Sequence, residues 1–143
     1  MSTESQRVFL SGKMTALALG IPVKIPNTVF NIPTNAPYAE FNIMTTKPFT
    51  VGGMGEGKIM ERYVGMIQLT VWVPEGKGTK ASALACDKFA KHFRHTLGRD
   101  LEGWTYTFKS AEVLTPDTKQ GYSVQIARIP FHRDEITEVQ VSI

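Results

Sequence analysis

The chain has 143 residues, 42% hydrophobic and 20% charged, which suits one globular domain with a real core and is too short for two. Sixteen Lys and Arg against thirteen Asp and Glu leave a net charge of +3, scattered rather than clustered, which excludes a basic nucleic-acid arm and fits a solvated surface. The lone Cys86 excludes an intramolecular disulfide, no run approaches the roughly 18 apolar residues of a membrane span, and residues 1–22 lack the unbroken apolar core of a secretory signal, so folding in a cytoplasm is expected.

Residues 3–19 are expected to form the first helix, with Ser2 or Thr3 as its cap, Glu4 near the positive pole, and Gly20 and Pro22 as its stop. Val8, Gly12, Ala16 and Leu19 share one face with Phe9 and Leu17 beside them, and this is the expected inward face. Residues 22–37 hold four prolines and three asparagines. Residues 23–25 read as a short edge strand, flanked by proline on both sides. The rest reads as an irregular surface excursion whose Val29, Phe30 and Ile32 either tuck inward or meet a neighbouring subunit.

Residues 38–46 alternate, with Ala39, Phe41 and Ile43 on one side. Residues 60–73 repeat the pattern with Ile67, Leu69, Val71 and Val73 inward. Trp72 falls on the nominally polar side, which calls for a second packed layer or a contact with another subunit. The glycine-rich stretch between these strands reads as a flexible loop. Residues 80–94 place Ala81, Ala85, Phe89 and Phe93 in a helical stripe flanked by Leu84, with Thr79 as N-cap, Gly98 as C-cap and Cys86 as a small buried hydrophobe. Two strands are expected near residues 104–114 and 120–133, joined by a turn over 115–119. Tyr122, Val124 and Ile126 differ in parity from Ile129 and Phe131, which predicts a bulge near Ala127 and Arg128, and Pro130 predicts an edge position. Residues 134–143 read as an extension in which Val139, Val141 and Ile143 alternate, a pattern suited to pairing onto a neighbouring chain. The expected fold is α+β, a single domain over residues 1–143, with a mixed, mainly antiparallel sheet flanked by two main helices.

Catalytic chemistry is not legible. Gly52, Gly57 and Lys58 have the spacing of a phosphate loop, but Ile59 stands where Ser or Thr would bind magnesium, a strand follows instead of a helix, and Glu56 would repel the phosphate. His92 and His95 could share a helical face, yet Asp87, Asp100 and His132 are the only loose candidates for a third metal ligand, so solvated helix-end histidines are expected. Asp134 and Glu135 lack a partnered base, and no serine has a nucleophile-elbow context. No enzyme activity, cofactor, metal or small-molecule substrate is therefore expected.

The order of segments nevertheless resembles the tail terminator family (minor tail protein U-like) of long-tailed bacteriophages and prophages. The resemblance is carried by Ile21-Pro22-Val23, by Pro37-Tyr38-Ala39-Glu40-Phe41, and by Glu61-Arg62-Tyr63-Val64-Gly65-Met66-Ile67-Gln68-Leu69. Val73-Pro74-Glu75-Gly76-Lys77-Gly78 then leads into the helix of Phe89 and Phe93, and Gly121-Tyr122-Ser123-Val124-Gln125-Ile126 and Pro130-Phe131 close the match. The resemblance implies a structural virion protein, assembled in the bacterial host cytoplasm, that forms a six-membered ring with itself on the tail tube. Such a ring ends tube polymerisation and offers a surface to the head–tail connector protein. The alternatives are a head–tail joining or neck component, the tube protein itself, or a small basic nucleic-acid-binding module. The expected tube and subunit contacts are the glycine-rich loop (Lys47, Gly52, Gly53, Gly55, Gly57, Lys58 and Arg62), together with Trp72, Phe30, Val139 and Val141.

Overall fold

The computed structural model describes residues 3–26 and 28–138. In chain order the elements are α1 (Thr3–Leu17), β1 (Val23–Lys24), β2 (Tyr38–Thr45), β3 (Phe49–Gly55), β4 (Lys58–Pro74), α2 (Lys80–Phe93), β5 (Leu97–Arg99), β6 (Thr105–Phe108), β7 (Glu112–Val113), β8 (Asp117–Lys119) and β9 (Tyr122–Glu138). They build the expected α+β fold around one mixed sheet of order β1-β2-β4-β9-β6-β5, with β3 added to β4, and β7 and β8 added to β9. Among the described residues, only the β1–β2 pair is parallel.

β4 and β9 form the spine of this sheet. They pair antiparallel from Lys58 opposite Glu138 to Pro74 opposite Tyr122 without a register shift. Side chains of opposite residues share a face, so the sheet has two distinct sides. On one side Ala39, Phe41, Ile67, Leu69, Val71, Ala127, Ile129 and Phe131 meet α2 through Phe89 and Phe93, together with Leu10 and Met14 of α1, and all are buried. The Phe41 ring lies 6.3 Å from both Phe89 and Phe93, and Phe93 lies 5.4 Å from Phe108. Neither helix covers the other side, so its residues remain largely half-buried or exposed.

Several local expectations are corrected. The inward face of α1 holds Ser5, Gln6, Leu10, Ser11 and Met14, whereas Val8, Gly12 and Ala16 are exposed; buried polar side chains hid the true stripe. Phe9 stacks on Tyr106 at 4.6 Å and passes so close to Gly98 that a Cβ there would lie 2.5 Å from its ring. Gly98 is therefore a packing position inside β5, and α2 ends instead at Arg94, followed by His95 in a left-handed conformation (φ 54°). The Thr79 side chain makes no cap hydrogen bond, and Ser82 Oγ instead donates to the Thr79 carbonyl at 2.9 Å. Leu84 is exposed rather than part of the core stripe. His92 is more than a solvated helix end, since its Nε2 lies 3.0 Å from the Lys13 carbonyl and ties α2 to α1. Cys86 is fully buried, and burial pushes its thiol up to about 12.

The predicted strand over 104–114 is two short strands, β6 and β7, and the predicted turn over 115–119 contains β8. The reversal falls instead at Gln120 and Gly121, both with positive φ, which is the signature of a type I′ hairpin. No bulge interrupts β9. The change of parity arises because β9 is apolar on both sides at that end, with Ala127, Ile129 and Phe131 under the helices and Tyr122, Val124 and Ile126 on the other side. Pro130 is also not at an edge, because β9 lies between β4 and β6. Its carbonyl accepts the Lys109 N–H at 2.9 Å, and the reciprocal bond proline cannot donate is replaced by His95 N–H reaching the Lys109 carbonyl at 3.3 Å.

Gly65 marks the tightest point of the sheet. A Cβ there would meet the Phe131 ring at 2.6 Å and the Met44 carbonyl oxygen at 2.7 Å, and the latter is backbone that cannot swing away. Gly65→Ala should lower stability by about 1–3 kcal/mol in urea denaturation. Gly12→Ala, in open space on the exposed side of α1, should raise it by about 1 kcal/mol. Equal effects of the two would refute the packing argument.

Candidate functional site

The glycine-rich stretch is an ordered hairpin rather than a loop. β3 pairs with the start of β4 from Phe49 opposite Arg62 to Gly55 opposite Lys58, with irregularities between Thr50 and Gly52 and between Gly53 and Gly55. Glu56 and Gly57 turn the chain with φ of 52° and 75°, the conformation a type I′ turn requires and glycine supplies without strain. Lys47, Gly52, Gly53, Gly55, Gly57 and Lys58 are all exposed on this arm. Arg62 is not free, because its Nε and Nη2 donate to the two carboxylate oxygens of Asp134 at 2.8 and 3.2 Å across the β4–β9 pair. That bidentate pair fixes the root of the arm.

Trp72 lies ten residues further along β4, roughly 33 Å from Arg62 at strand spacing. Its ring is parallel to Tyr38 at 6.0 Å, Tyr122 stands edge-on to both, and Phe30 of the proline-rich excursion adds a further ring 6.0 Å from Tyr38. Trp72 and Phe30 thus share a small second packed layer at the end of the sheet opposite the hairpin. Val29 and Ile32 do not tuck inward, being 96% and 62% exposed. Val139 and Val141 lie outside the described residues.

Apolar side chains that alternation alone did not single out lie between these two ends. Met44, Thr45, Thr46, Val64, Gly65, Met66 and Pro130 line a shallow cavity of about 300 Å³ that is almost wholly apolar. Phe49, Val51 and Ile136 are exposed nearby on the arm. The only early signal for them was the run of apolar residues on the nominally outer positions of these strands.

A buried ion cluster also escaped the sequence reading. Arg133 is 0% exposed, and its guanidinium lies 3.0 Å from Asp100, 3.5 Å from Glu102 and 3.9 Å from Glu135, over the face of Tyr106. Asp100 in turn accepts hydrogen bonds from the Tyr106 hydroxyl at 2.9 Å and from the N–H groups of Glu102 and Trp104. Burial raises the Tyr106 pKa, opposed in part by the Arg133 cation. These contacts pin the β5–β6 turn to β9. Among the described residues, no three His, Cys, Asp or Glu side chains group as a metal site, and no helix is long and apolar enough to cross a membrane.

Removing Asp100 would leave a buried guanidinium without its nearest counter-charge, so Asp100→Ala should cost about 3–5 kcal/mol in chemical denaturation. A loss below 1 kcal/mol would show the cluster to be incidental. His132 gives a second readout. Burial, then the Arg62 cation, hold its pKa below the usual value despite Asp134 at 3.7 Å. The unfolded chain therefore takes up the proton first, so this contribution is fully present above the unfolded pKa and is lost as pH falls through the folded one. His132→Gln should flatten the fall in denaturation midpoint between roughly pH 7 and 5; an unchanged slope would assign that fall to other groups.

A family model described as phage tail terminator protein matches residues 9–131. No curated protein matches the chain. One solved structure aligns over 100% of this chain and 99% of its own at 17% identity with a TM-score of 0.73, a likeness of fold. A match over that span makes this chain a member of the phage tail terminator family and a structural component of the phage tail.

Proposed function

We propose that the protein caps the tail tube as a closed homo-oligomeric ring, stops tube polymerisation and presents its outer surface to the head–tail connector. The observation that carries this reading is the separation of two unlike surfaces at opposite ends of the β4–β9 spine. A ring requires each subunit to offer one patch that meets a different patch on the next. The glycine-rich arm with Lys47 and Lys58 is unlike the aromatic layer of Phe30, Tyr38, Trp72 and Tyr122, and the apolar strip around Met44 and Met66 lies between them. Two dissimilar patches of this kind favour ring closure over an isologous dimer.

In this reading the arm, besides offering one of these patches, also reaches the tube, where its exposed cations Lys47 and Lys58 face acidic groups. Arg62 is given no such role in this reading, because Asp134 already holds it. No enzymatic step and no cofactor is proposed.

Light scattering over a concentration series tests the ring, which would give a mass of about 95 kDa for six chains of 15.9 kDa. Filaments of growing mass would instead favour a tube protein. Paired Lys47→Glu and Lys58→Glu substitutions should weaken capping of purified tubes at least tenfold while leaving the melting temperature unchanged. Undiminished capping would remove the arm from the tube contact.

A further inference from the structure

The outer edge of β2 is only partly paired. β1 covers Ala39 and Glu40, with Ala39 N–H donating to the Pro22 carbonyl at 2.9 Å, and then ends. In a strand, alternate residues direct their N–H and C=O to the same side. The backbone groups of Phe41, Ile43 and Thr45 therefore point to the same outer edge as those of Ala39, while Thr46 N–H turns inward to Val64. The Lys24–Glu40 register still aims the Phe41 N–H at the Lys24 carbonyl, but beyond it no strand of the described residues pairs with this edge.

Along this edge runs a groove of about 250 Å³ lined by Gln6, Arg7, Pro26, Ile43 and Thr45. Gln6 is only 4% exposed, yet its side-chain carbonyl has no hydrogen-bond partner. A buried amide oxygen without a donor, beside an open strand edge, is a costly arrangement for an isolated subunit. An added strand would pair the open edge.

We propose that this groove receives residues 139–143 of a second copy of the chain, which add to β2 as an extra strand in the ring. The segment Val139-Gln140-Val141-Ser142-Ile143 alternates, so one of its sides can lie against Ile43 and Pro26 while its backbone meets the exposed edge. Its own subunit is out of reach. Five residues span at most about 17 Å. β9 ends at Glu138 opposite Lys58, whereas the near end of the groove, Thr45, lies opposite Gly65, roughly 23 Å away along the spine and on the far side of β4. The inference rests on the ring reading above and adds to it the element that links neighbouring subunits.

Disulfide trapping between separately tagged chains tests this directly. Chains carrying Thr45→Cys, mixed with chains carrying Val141→Cys, should give cross-linked heterodimers under mild oxidation, with the buried Cys86 silent. Ending the chain after Glu138 should abolish the ring. Thr45→Pro should do the same without lowering the melting temperature, because the lost N–H faces the unpaired edge. Rings that survive both changes, with no cross-link between chains, would overturn the inference and leave the ring itself intact. A cross-link confined to chains carrying both cysteines would also overturn it, by making the occupant the chain's own tail. A full-length chain that stays monomeric in solution and on tubes would overturn both the ring and its linkage.

Discussion

One uninterrupted antiparallel pairing, β4 against β9 from Lys58–Glu138 to Pro74–Tyr122, dictates most of what else the chain can do. At strand spacing it is roughly 55 Å long, well beyond what two helices of 15 and 14 residues can cover. The helices gather over the middle and leave the arm at one end to project. Because register is continuous, every residue on both strands is assigned to a face, and a slip of one position would turn Phe131 and Ile67 outward. Gly65 supports the register locally, since only a residue without Cβ lets Phe131 cross that point. Pro130 is accommodated beside it because the sheet breaks between β6 and β7 where its missing N–H would have been used.

The buried ions act on the same spine from the side. A guanidinium with no solvent exposure is expensive to desolvate, and replacing such a cluster by apolar residues often raises stability in other folds. Here Arg133 stands where β9 leaves the helix-covered core, and Asp100 is bound at once to Tyr106 and to two backbone N–H groups of its own turn. Such a network accepts few alternative arrangements. Its contribution is to fix where β5 and β6 dock on β9, more than to add net stability.

The legible parts of the fold were those where one physical demand dominates. The stripe of Ala85, Phe89 and Phe93 has one apolar partner, and it reads as a helix on a core because nothing else competes. The odd-numbered residues of β4 are equally plain. Reading failed where two demands overlap. In α1 the inward positions include Gln6 and Ser11, so hydrophobicity pointed to the wrong side. In β9 both faces are apolar, and alternation there mimics a bulge. For the arm, glycine content suggested a loop, but the pair Glu56-Gly57 is the stronger signal because it fits a two-residue hairpin turn. Arg133 could not have been found from pattern, since a buried charge is defined by partners distant in sequence, here Asp100.

The features left unexplained by folding alone share a location on the periphery of the sheet. A strand edge that stops pairing after Glu40, an amide oxygen buried without a donor, and an apolar strip under no helix each cost stability in a lone subunit. A chain that folded only to stand alone would gain by a longer β1, a Gln6 replaced by leucine, and charged residues at Met44 and Met66. Under the ring proposed above, another chain would cover the strand edge and the apolar strip, and part of that cost would return as binding free energy. In that reading the open edge and the uncovered strip are where assembly would act, while the helix-covered core, which depends on neither, holds the subunit's shape.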